Sequence, residues 1–244
     1  MKLYLRTLSL IICLLTTLAS IGQTALSQQT LNTPIYLPII MGDPPKIMQI
    51  AFRGWDSTNK QDIYTLNDDG SQLKNLTSNP AMFHFIWSPD GTRIAFDTNW
   101  NGNPDIYVMN ADGSGLVRLT YDPASDSSPS WSPDGTRLAF TSTRSGSRGI
   151  YVMNSDGSNV VHLIDCSAVC QYLRWSPDGS KIAFTLGPLD NTREIYVMNT
   201  DGSGLTNLTG NAYFDQMLEW SPEGARILFL SNRDQGGEQD RADL

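Results

Sequence analysis

The chain has 244 residues, a formal net charge of -8 and a charged fraction of 17%, below the roughly 25% of ordinary domains. Aspartate outnumbers glutamate by 21 to 4, and there are only 5 lysines. Aspartate favours turns, whereas glutamate and lysine cover helix surfaces, so this composition excludes a helical bundle and indicates a turn-rich, all-β protein. The acidic balance also argues against a nucleic-acid partner, because nucleic-acid-binding surfaces are basic.

Residues 1–27 have the pattern of a secretory signal peptide. Two basic residues precede an apolar run at 8–18, and small residues follow, with cleavage fitting after Gly22 or Ser27. The apolar run is shorter than the 18 or more residues of a spanning helix, so we expect no membrane span after cleavage. An uncleaved N-terminal anchor is the alternative. The sequence thus predicts a secreted or periplasmic protein.

One pattern recurs along the chain with a period of 44 or 45 residues. Each copy holds Trp-Ser-Pro-Asp-Gly or Trp-Ser-Pro-Glu-Gly, an apolar triplet, an Ile-Tyr pair and an Asn-x-Asp-Gly-Ser segment. A period of this length with four short strands is typical of propeller blades. The tryptophans are Trp87, Trp131, Trp175 and Trp220, and the tyrosines in step are Tyr64, Tyr107, Tyr151 and Tyr196.

The turn residues divide each unit into four antiparallel strands. Ser-Pro-Asp-Gly makes the first turn, since Pro89 fixes φ and Gly91 can adopt positive φ. Asn-x-Asp-Gly-Ser makes a second tight hairpin. In the second unit the strands are expected at 83–87, 93–98, 105–110 and 116–120.

These motifs resemble the TolB-like β-propeller repeat, in which W-S-P-D-G-x-x-[IL]-A-F is followed by I-Y-V-M-N-x-D-G-S and L-T. The resemblance covers residues 47–231, between a Pro-containing linker at 28–46 and a polar tail at 232–244. It implies an all-β propeller of four-stranded antiparallel blades. TolB itself also carries an N-terminal α/β domain, which we do not expect here because a Pro-containing stretch precedes the repeats.

Four full repeats plus partial units can be counted, whereas the TolB-like propeller has six blades. Two arrangements compete. In one, a strand at 213–220 supplies the missing inner strand of the first blade and closes a four-bladed ring. In the other, which we favour, the chain is an incomplete or truncated propeller, because four blades is the lower limit of propeller rings. An open arc exposes a blade edge, which predicts self-association.

Two cysteines remain after signal removal, Cys166 and Cys170. In an oxidising compartment we expect them to form a local disulfide. His84 and His162 belong to other segments, so we expect no metal site and no cofactor.

The loops on one face of the propeller are expected to differ between units, while the repeated turns lie on the opposite face. Loops free of the repeat are where a scaffold places specificity, and tryptophan and arginine frequently anchor interfaces. Local packing over each blade is the alternative for the tryptophans. The candidate partner-binding residues are Trp55, Trp100, Arg144, Arg148, Arg193, His84 and Tyr121.

No G-x-S-x-G elbow occurs and neither histidine has a nucleophile in a suitable setting, so we expect no enzyme activity. The sequence predicts a non-catalytic binding scaffold that engages a protein, a peptide or a cell-envelope glycan. The alternative is the propeller part, or a truncated remnant, of a secreted hydrolase or lyase.

Overall fold

The computed structural model describes residues 49–55, 61–77, 82–188, 192–210 and 213–233. These residues form five antiparallel sheets, here numbered 1 to 5 in chain order. Sheet 1 contains β1 (Gln49–Trp55), β2 (Gln61–Asn67) and β3 (Lys74–Asn75). Sheet 2 contains β4 (Met82–Trp87), β5 (Arg93–Thr98), β6 (Asp105–Asn110) and β7 (Val117–Arg118). Sheet 3 contains β8 (Asp126–Trp131), β9 (Arg137–Ser142), β10 (Gly149–Asn154) and β11 (Val161–Asp165). Sheet 4 contains β12 (Val169–Trp175), β13 (Lys181–Gly187), β14 (Glu194–Asn199) and β15 (Thr206–Asn207), and sheet 5 contains β16 (Asp215–Trp220) and β17 (Ile227–Ser231).

The Ser-Pro-Asp-Gly segments fold as tight turns stabilised by their aspartate. In sheet 2, Oδ1 of Asp90 accepts hydrogen bonds from the Ser88 hydroxyl at 2.6 Å and from the Thr92 backbone N–H at 3.0 Å. Gly91 follows with a φ of 68°, a left-handed conformation that glycine adopts without strain. The turn therefore fixes the register of the strands on either side.

In the three four-stranded sheets the apolar triplet lies in the second strand and is buried on both sides, because each of these sheets packs between two neighbours. In sheet 3 these residues are Leu138, Ala139 and Phe140, all fully buried. The same residue type recurs at each position, so every interface between sheets has a similar core.

The tryptophan of each repeat connects its sheet to the preceding one. Nε1 of Trp175 donates a hydrogen bond to the Ser130 carbonyl at 3.1 Å, and Nε1 of Trp220 donates to the Arg174 carbonyl at 3.1 Å. The Arg137 guanidinium of sheet 3 lies 4.7 Å from the centre of the Trp175 ring, a favourable cation–π arrangement. Since the first strands of successive sheets contact one another, they are the innermost strands of the propeller.

The all-β propeller with antiparallel sheets is confirmed, but the count of four full repeats is wrong. The described residues form five blades: sheets 2, 3 and 4 have four strands, and within the same residues sheet 1 has three and sheet 5 has two. Counting motifs gave four units because the tryptophan turn first occurs in sheet 2, whereas the tyrosine strand first occurs in sheet 1. Sheet 1 contains Tyr64 without a tryptophan turn, and sheet 5 contains Trp220 without the tyrosine strand.

The four-bladed ring is also wrong. Its closing strand, β16, pairs with β17 and packs against sheet 4, and sheet 1 has the order β1-β2-β3. Within the described ranges, four hydrophobic cores join the five sheets in series, one at each junction. A closed ring of five sheets would need a fifth core, so the described residues form an open arc.

The predicted signal peptide at 1–27 and linker at 28–46 lie outside the described residues, and their boundaries stay predictions. In the part of the chain that the structure describes, no helix is long and apolar enough to cross a membrane. Self-association through an open edge also stays a prediction.

Candidate partner-binding face

The loops whose sequences differ between units come together at one end of the sheets. Each connection between four-stranded sheets is hydrogen-bonded to the hairpin loop of the sheet before it. The Asp126 N–H donates to the Pro104 carbonyl at 2.7 Å, and the Cys166 N–H donates to the Arg148 carbonyl at 2.7 Å. We call this end the variable face: it comprises the described hairpin loops at 99–104 and 143–148 and the connections at 119–125 and 166–168.

The repeated turns lie at the opposite end, the repeat face. The Ala111 N–H of the Asn-x-Asp-Gly-Ser turn donates to the Thr92 carbonyl of the Ser-Pro-Asp-Gly turn at 2.8 Å, and Ser155 bonds to Thr136 in the same way in sheet 3. These turns are nearly identical in every unit. The chain therefore presents one uniform face and one that varies.

Tyr121 is the most exposed of the predicted binding residues whose side chains are described, with 70% of its surface accessible. Its hydroxyl donates to the Arg118 carbonyl at 2.9 Å, and the Arg118 guanidinium lies 4.7 Å from its ring centre. The ring is therefore held in position while one side stays open to solvent. An exposed, oriented tyrosine offers a large contact area at low cost in side-chain entropy.

His84 lies at the edge of the variable face, with 38% of its side chain exposed. Its backbone N–H donates to Oδ1 of Asp97 at 2.7 Å, and its Nδ1 lies 3.3 Å from Oδ2 of the same fully buried carboxylate. The hydrogen bonds found among the described residues give the His84 ring no hydroxyl or thiol partner. The pair can therefore orient a polar contact, but it has no nucleophile in place.

The three predicted arginines make contacts within the fold. Arg144 pairs with the buried Asp126 at 2.9 Å. Arg148 lies 3.4 Å from the Thr141 hydroxyl. Arg193, which is buried, donates to the Gln171 side chain at 2.9 Å. These contacts place the arginines beneath the variable face, where they hold its loops.

Buried aspartates paired with arginines recur under this face. Besides Asp126, the fully buried Asp105 pairs with Arg118 at 2.8 Å. Burial raises the pKa of Asp105 because it penalises the charged carboxylate, and the Arg118 partner opposes that effect. Arg118 thus links this buried charge to the exposed Tyr121 above it.

Trp100 lies partly buried over its own sheet. Its ring packs edge-on against Phe96, with centroids 5.8 Å apart, and against Tyr107 at 5.1 Å. It also joins the core between sheets 1 and 2. This geometry fits the alternative of local packing. Trp55 ends β1, and its side chain lies outside the described residues.

Comparison with known proteins agrees with the repeat motifs. The family model of the TolB beta propeller domain matches residues 83–168. The match covers the repeats of sheets 2 and 3. A search of the curated proteins finds no match to this chain.

Two solved TolB structures are similar to this chain. The putative TolB from Agrobacterium tumefaciens has 25% identity and a TM-score of 0.63, over 75% of this chain and 69% of that one. TolB from Acinetobacter baumannii has 24% identity and a TM-score of 0.66, over 78% of this chain and 48% of that one. This chain thus spans about half the length of the Acinetobacter protein.

The oligogalacturonate lyase from Vibrio parahaemolyticus has 16% identity and a TM-score of 0.61, over 77% of this chain and 57% of that one. Identity this low shows the fold alone.

Sequence reasoning missed two residues near the variable face, Ser128 and Tyr172. Both have positive φ, 58° and 55°, and each occupies a break in the register of an innermost strand. Bulges redirect side chains, and a non-glycine residue in this conformation is strained. They lie 44 and 88 residues after His84, so the repeat period could have identified them. The same position of the repeat therefore carries His, Ser and Tyr in successive blades, and only the Ser and the Tyr have positive φ.

A disulfide joins Cys166 and Cys170, whose Cα atoms are 6.1 Å apart. Both side chains are buried and pack in the core between sheets 3 and 4. The bond braces the connection from β11 to β12, which belongs to the variable face.

Proposed function

We propose that this chain is a secreted or periplasmic, non-catalytic binding scaffold whose variable face engages a protein, a peptide or a cell-envelope glycan. The observation that carries the proposal is the separation of faces: uniform turns at one end and unlike loops at the other. A rigid stack of sheets with variable loops at one end is a common arrangement for recognition.

The contacts on the variable face support this function. Tyr121 is exposed and oriented, and His84 and Tyr172 are partly accessible on neighbouring parts of the face. The predicted arginines support the loops from below, so they contribute to binding by holding those residues in place. Trp100 has the same supporting role.

The experiment compares capture of envelope proteins and glycans by the wild-type chain, the Tyr121→Ala variant and a matched control. Leu73→Ala is the control, because Leu73 is also exposed, at 61%, but follows a turn on the repeat face. A partner lost with Tyr121→Ala and retained with Leu73→Ala supports the proposal. A partner retained by both variants counts against this face.

The alternative, a propeller part or remnant of a secreted hydrolase or lyase, has support from fold similarity to the Vibrio lyase. The His84–Asp97 pair lacks a nucleophile partner, and this favours binding over hydrolysis. Incubation with oligogalacturonate, followed by ultraviolet absorbance of unsaturated products, separates the two functions. Turnover that is lost with His84→Ala would establish the enzyme instead.

A further inference from the structure

Arg148 and Arg193, beneath the variable face, have no carboxylate partner among the described residues. The Arg148 guanidinium makes one long contact, at 3.4 Å to the Thr141 hydroxyl. Arg193 donates to the neutral Gln171 side chain at 2.9 Å and lies 5.5 Å from the centre of the Phe214 ring. Other arginines at this end of the sheets each pair with a buried aspartate; these pairs are Arg118–Asp105, Arg144–Asp126 and Arg233–Asp215. Arg148 and Arg193 therefore each carry a charge that no described anion balances.

Burial makes an unbalanced charge unfavourable. Arg193 is 9% exposed, and no described group accepts a hydrogen bond from its Nε. Arg148 is half-buried. Taking a guanidinium out of water is costly unless an anion or a full set of acceptors compensates it. An anion supplied by a binding partner would compensate both groups.

The two arginines occupy the same position in neighbouring sheets, directly before the third strand of sheet 3 and of sheet 4. Arg148 reaches Thr141, whose hydroxyl donates to the Ser127 carbonyl at 3.1 Å, and Arg193 reaches Gln171. Ser127 lies in β8 and Gln171 in β12, the innermost strands of their sheets, and these two strands contact each other. Both guanidinium groups therefore extend from the third strand towards the innermost strand.

The next residue of each innermost strand is one of the two with positive φ, Ser128 and Tyr172. Ser128 is 6% exposed, and its hydroxyl has no hydrogen-bond partner among the described residues. Tyr172 is half-buried. Strained backbone of this kind is found at ligand-binding sites more often than elsewhere. Each of the two sheets thus brings one guanidinium and one strained residue with a hydroxyl group to adjoining positions.

The chemistry of these groups selects a carboxylate. A guanidinium can only donate hydrogen bonds, and its planar fork matches the two oxygens of a carboxylate. Serine and tyrosine hydroxyls can donate to the same oxygens. At the equivalent positions sheet 2 has Pro104 in place of the arginine and Asp97 in place of Thr141. Asp97 is an anion that is already bonded to His84, so the site is confined to sheets 3 and 4.

The depth of the donors indicates what carries the carboxylate. Ser128 and Arg193 are buried, whereas Arg148 and Tyr172 are half-buried, so only a narrow group can approach all four. A glutamate side chain carries its carboxylate on a flexible methylene arm, while the carboxylate of an acidic sugar is attached directly to the ring. Arginine and tyrosine are also enriched in protein interfaces.

We propose that the variable face binds a protein partner that inserts a glutamate side chain at the innermost strands of sheets 3 and 4, where Arg148, Arg193, Ser128 and Tyr172 receive its carboxylate. This inference rests on the proposed function and specifies the partner's chemistry. Arg148 and Arg193 then have two roles: they support the loops, and they supply the charge that the partner neutralises.

The test uses a short polyglutamate peptide, and a polyglutamine peptide of the same length as the uncharged probe. Calorimetry with the full mature chain is expected to show binding of polyglutamate alone. Arg148→Gln and Arg193→Gln should each weaken binding about tenfold or more, because each removes a charge-assisted hydrogen bond. Arg148→Lys should recover only part of the loss, since lysine keeps the charge but lacks the planar fork.

Lys181→Gln is the matched control. It removes the same charge from an exposed side chain on the repeat face and should leave binding unchanged. Circular dichroism of each variant checks that the fold is retained. If Arg193→Gln does not fold, the half-buried Arg148→Gln decides the outcome.

Four results would overturn the proposal: no binding of polyglutamate, equal binding of polyglutamine, equal weakening by Lys181→Gln, or tighter binding of oligogalacturonate. The last would assign the arginines to an acidic glycan. Capture of envelope proteins separates this inference from the proposed function. A protein lost with Tyr121→Ala but retained with Arg148→Gln would keep the variable face as the binding surface and reject the glutamate site.

Discussion

A Cβ atom built on Gly157 would lie 2.8 Å from the carbonyl oxygen of Leu119, in the sheet before it. Gly157 also has a φ of 87°, so any side chain there meets both backbone strain and a clash. We expect Gly157→Ala to lower the free energy of unfolding by about 2–4 kcal/mol. Urea unfolding followed by tryptophan fluorescence measures it.

Gly146 provides the control for that substitution. It has a φ of 90°, but a Cβ atom there meets nothing within 4 Å. Gly146→Ala should therefore cost only the backbone strain, about 1 kcal/mol. Equal losses for the two variants would show that the contact between sheets contributes nothing.

Trp100→Ala is expected to destabilise the fold by about 2–4 kcal/mol, because the ring packs on Phe96 and Tyr107. Tyr121→Ala, at a far more exposed site, should change stability by less than about 0.5 kcal/mol. Thermal unfolding of both variants measures the two losses of stability. A stable Trp100→Ala chain would restore Trp100 as a candidate interface anchor.

Acid should remove a contribution to stability made by the Ser-Pro-Asp-Gly turns. Hydrogen bonds from the Ser132 hydroxyl, and then from Thr136, lower the pKa of Asp134 to about 2. The Ser176 hydroxyl and then Ser180 lower the pKa of Asp178 to about 2 in the same way. Because the folded-state pKa lies below the usual 3.8, the ionised turn stabilises the fold above about pH 4, and this stabilisation is lost as the pH falls towards 2.

The variant that tests this is Asp134→Asn. Its urea midpoint should be lower than that of the wild type at pH 7, and the difference should shrink between pH 4 and pH 2. A difference that stays constant over this range would mean that the charge of Asp134 has no part in the turn.

Reduction of the Cys166–Cys170 disulfide should lower the free energy of unfolding by about 2 kcal/mol, the value expected for so short a loop. Thermal unfolding with and without a thiol reductant measures the change. A Cys166→Ser/Cys170→Ser double variant should unfold at the temperature of the reduced wild type. If the double variant instead unfolds at the temperature of the oxidised wild type, with or without reductant, the disulfide contributes nothing to stability.

Local turn chemistry made most of the fold predictable. The strands at 93–98 and 105–110 have the bounds that the turn residues indicate, because proline and glycine act on their immediate neighbours. The number of strands per sheet was not predictable in the same way. It depends on which sheet each motif joins, and that is set by contacts between distant segments.

The binding residues were harder to predict for the same reason. Arg144 lies over the rings of Phe140 and Tyr151 and pairs with Asp126, 18 residues away. Loop composition gives no sign of this burial. The repeat period does give a sign: Trp100 and Arg144 are 44 residues apart, and both cover the phenylalanine of their own sheet.

The tryptophan bonds between sheets have a direction. Trp175 and Trp220 each donate to the sheet that precedes their own, so sheet 4 depends on sheet 3, and sheet 5 on sheet 4, for this hydrogen-bond acceptor. Shortening the chain from its C-terminal end leaves Trp175 with its acceptor, whereas removing sheet 3 takes that acceptor away. The propeller is thus polar in its stability, and sheet 5 is the unit whose loss the other sheets tolerate best.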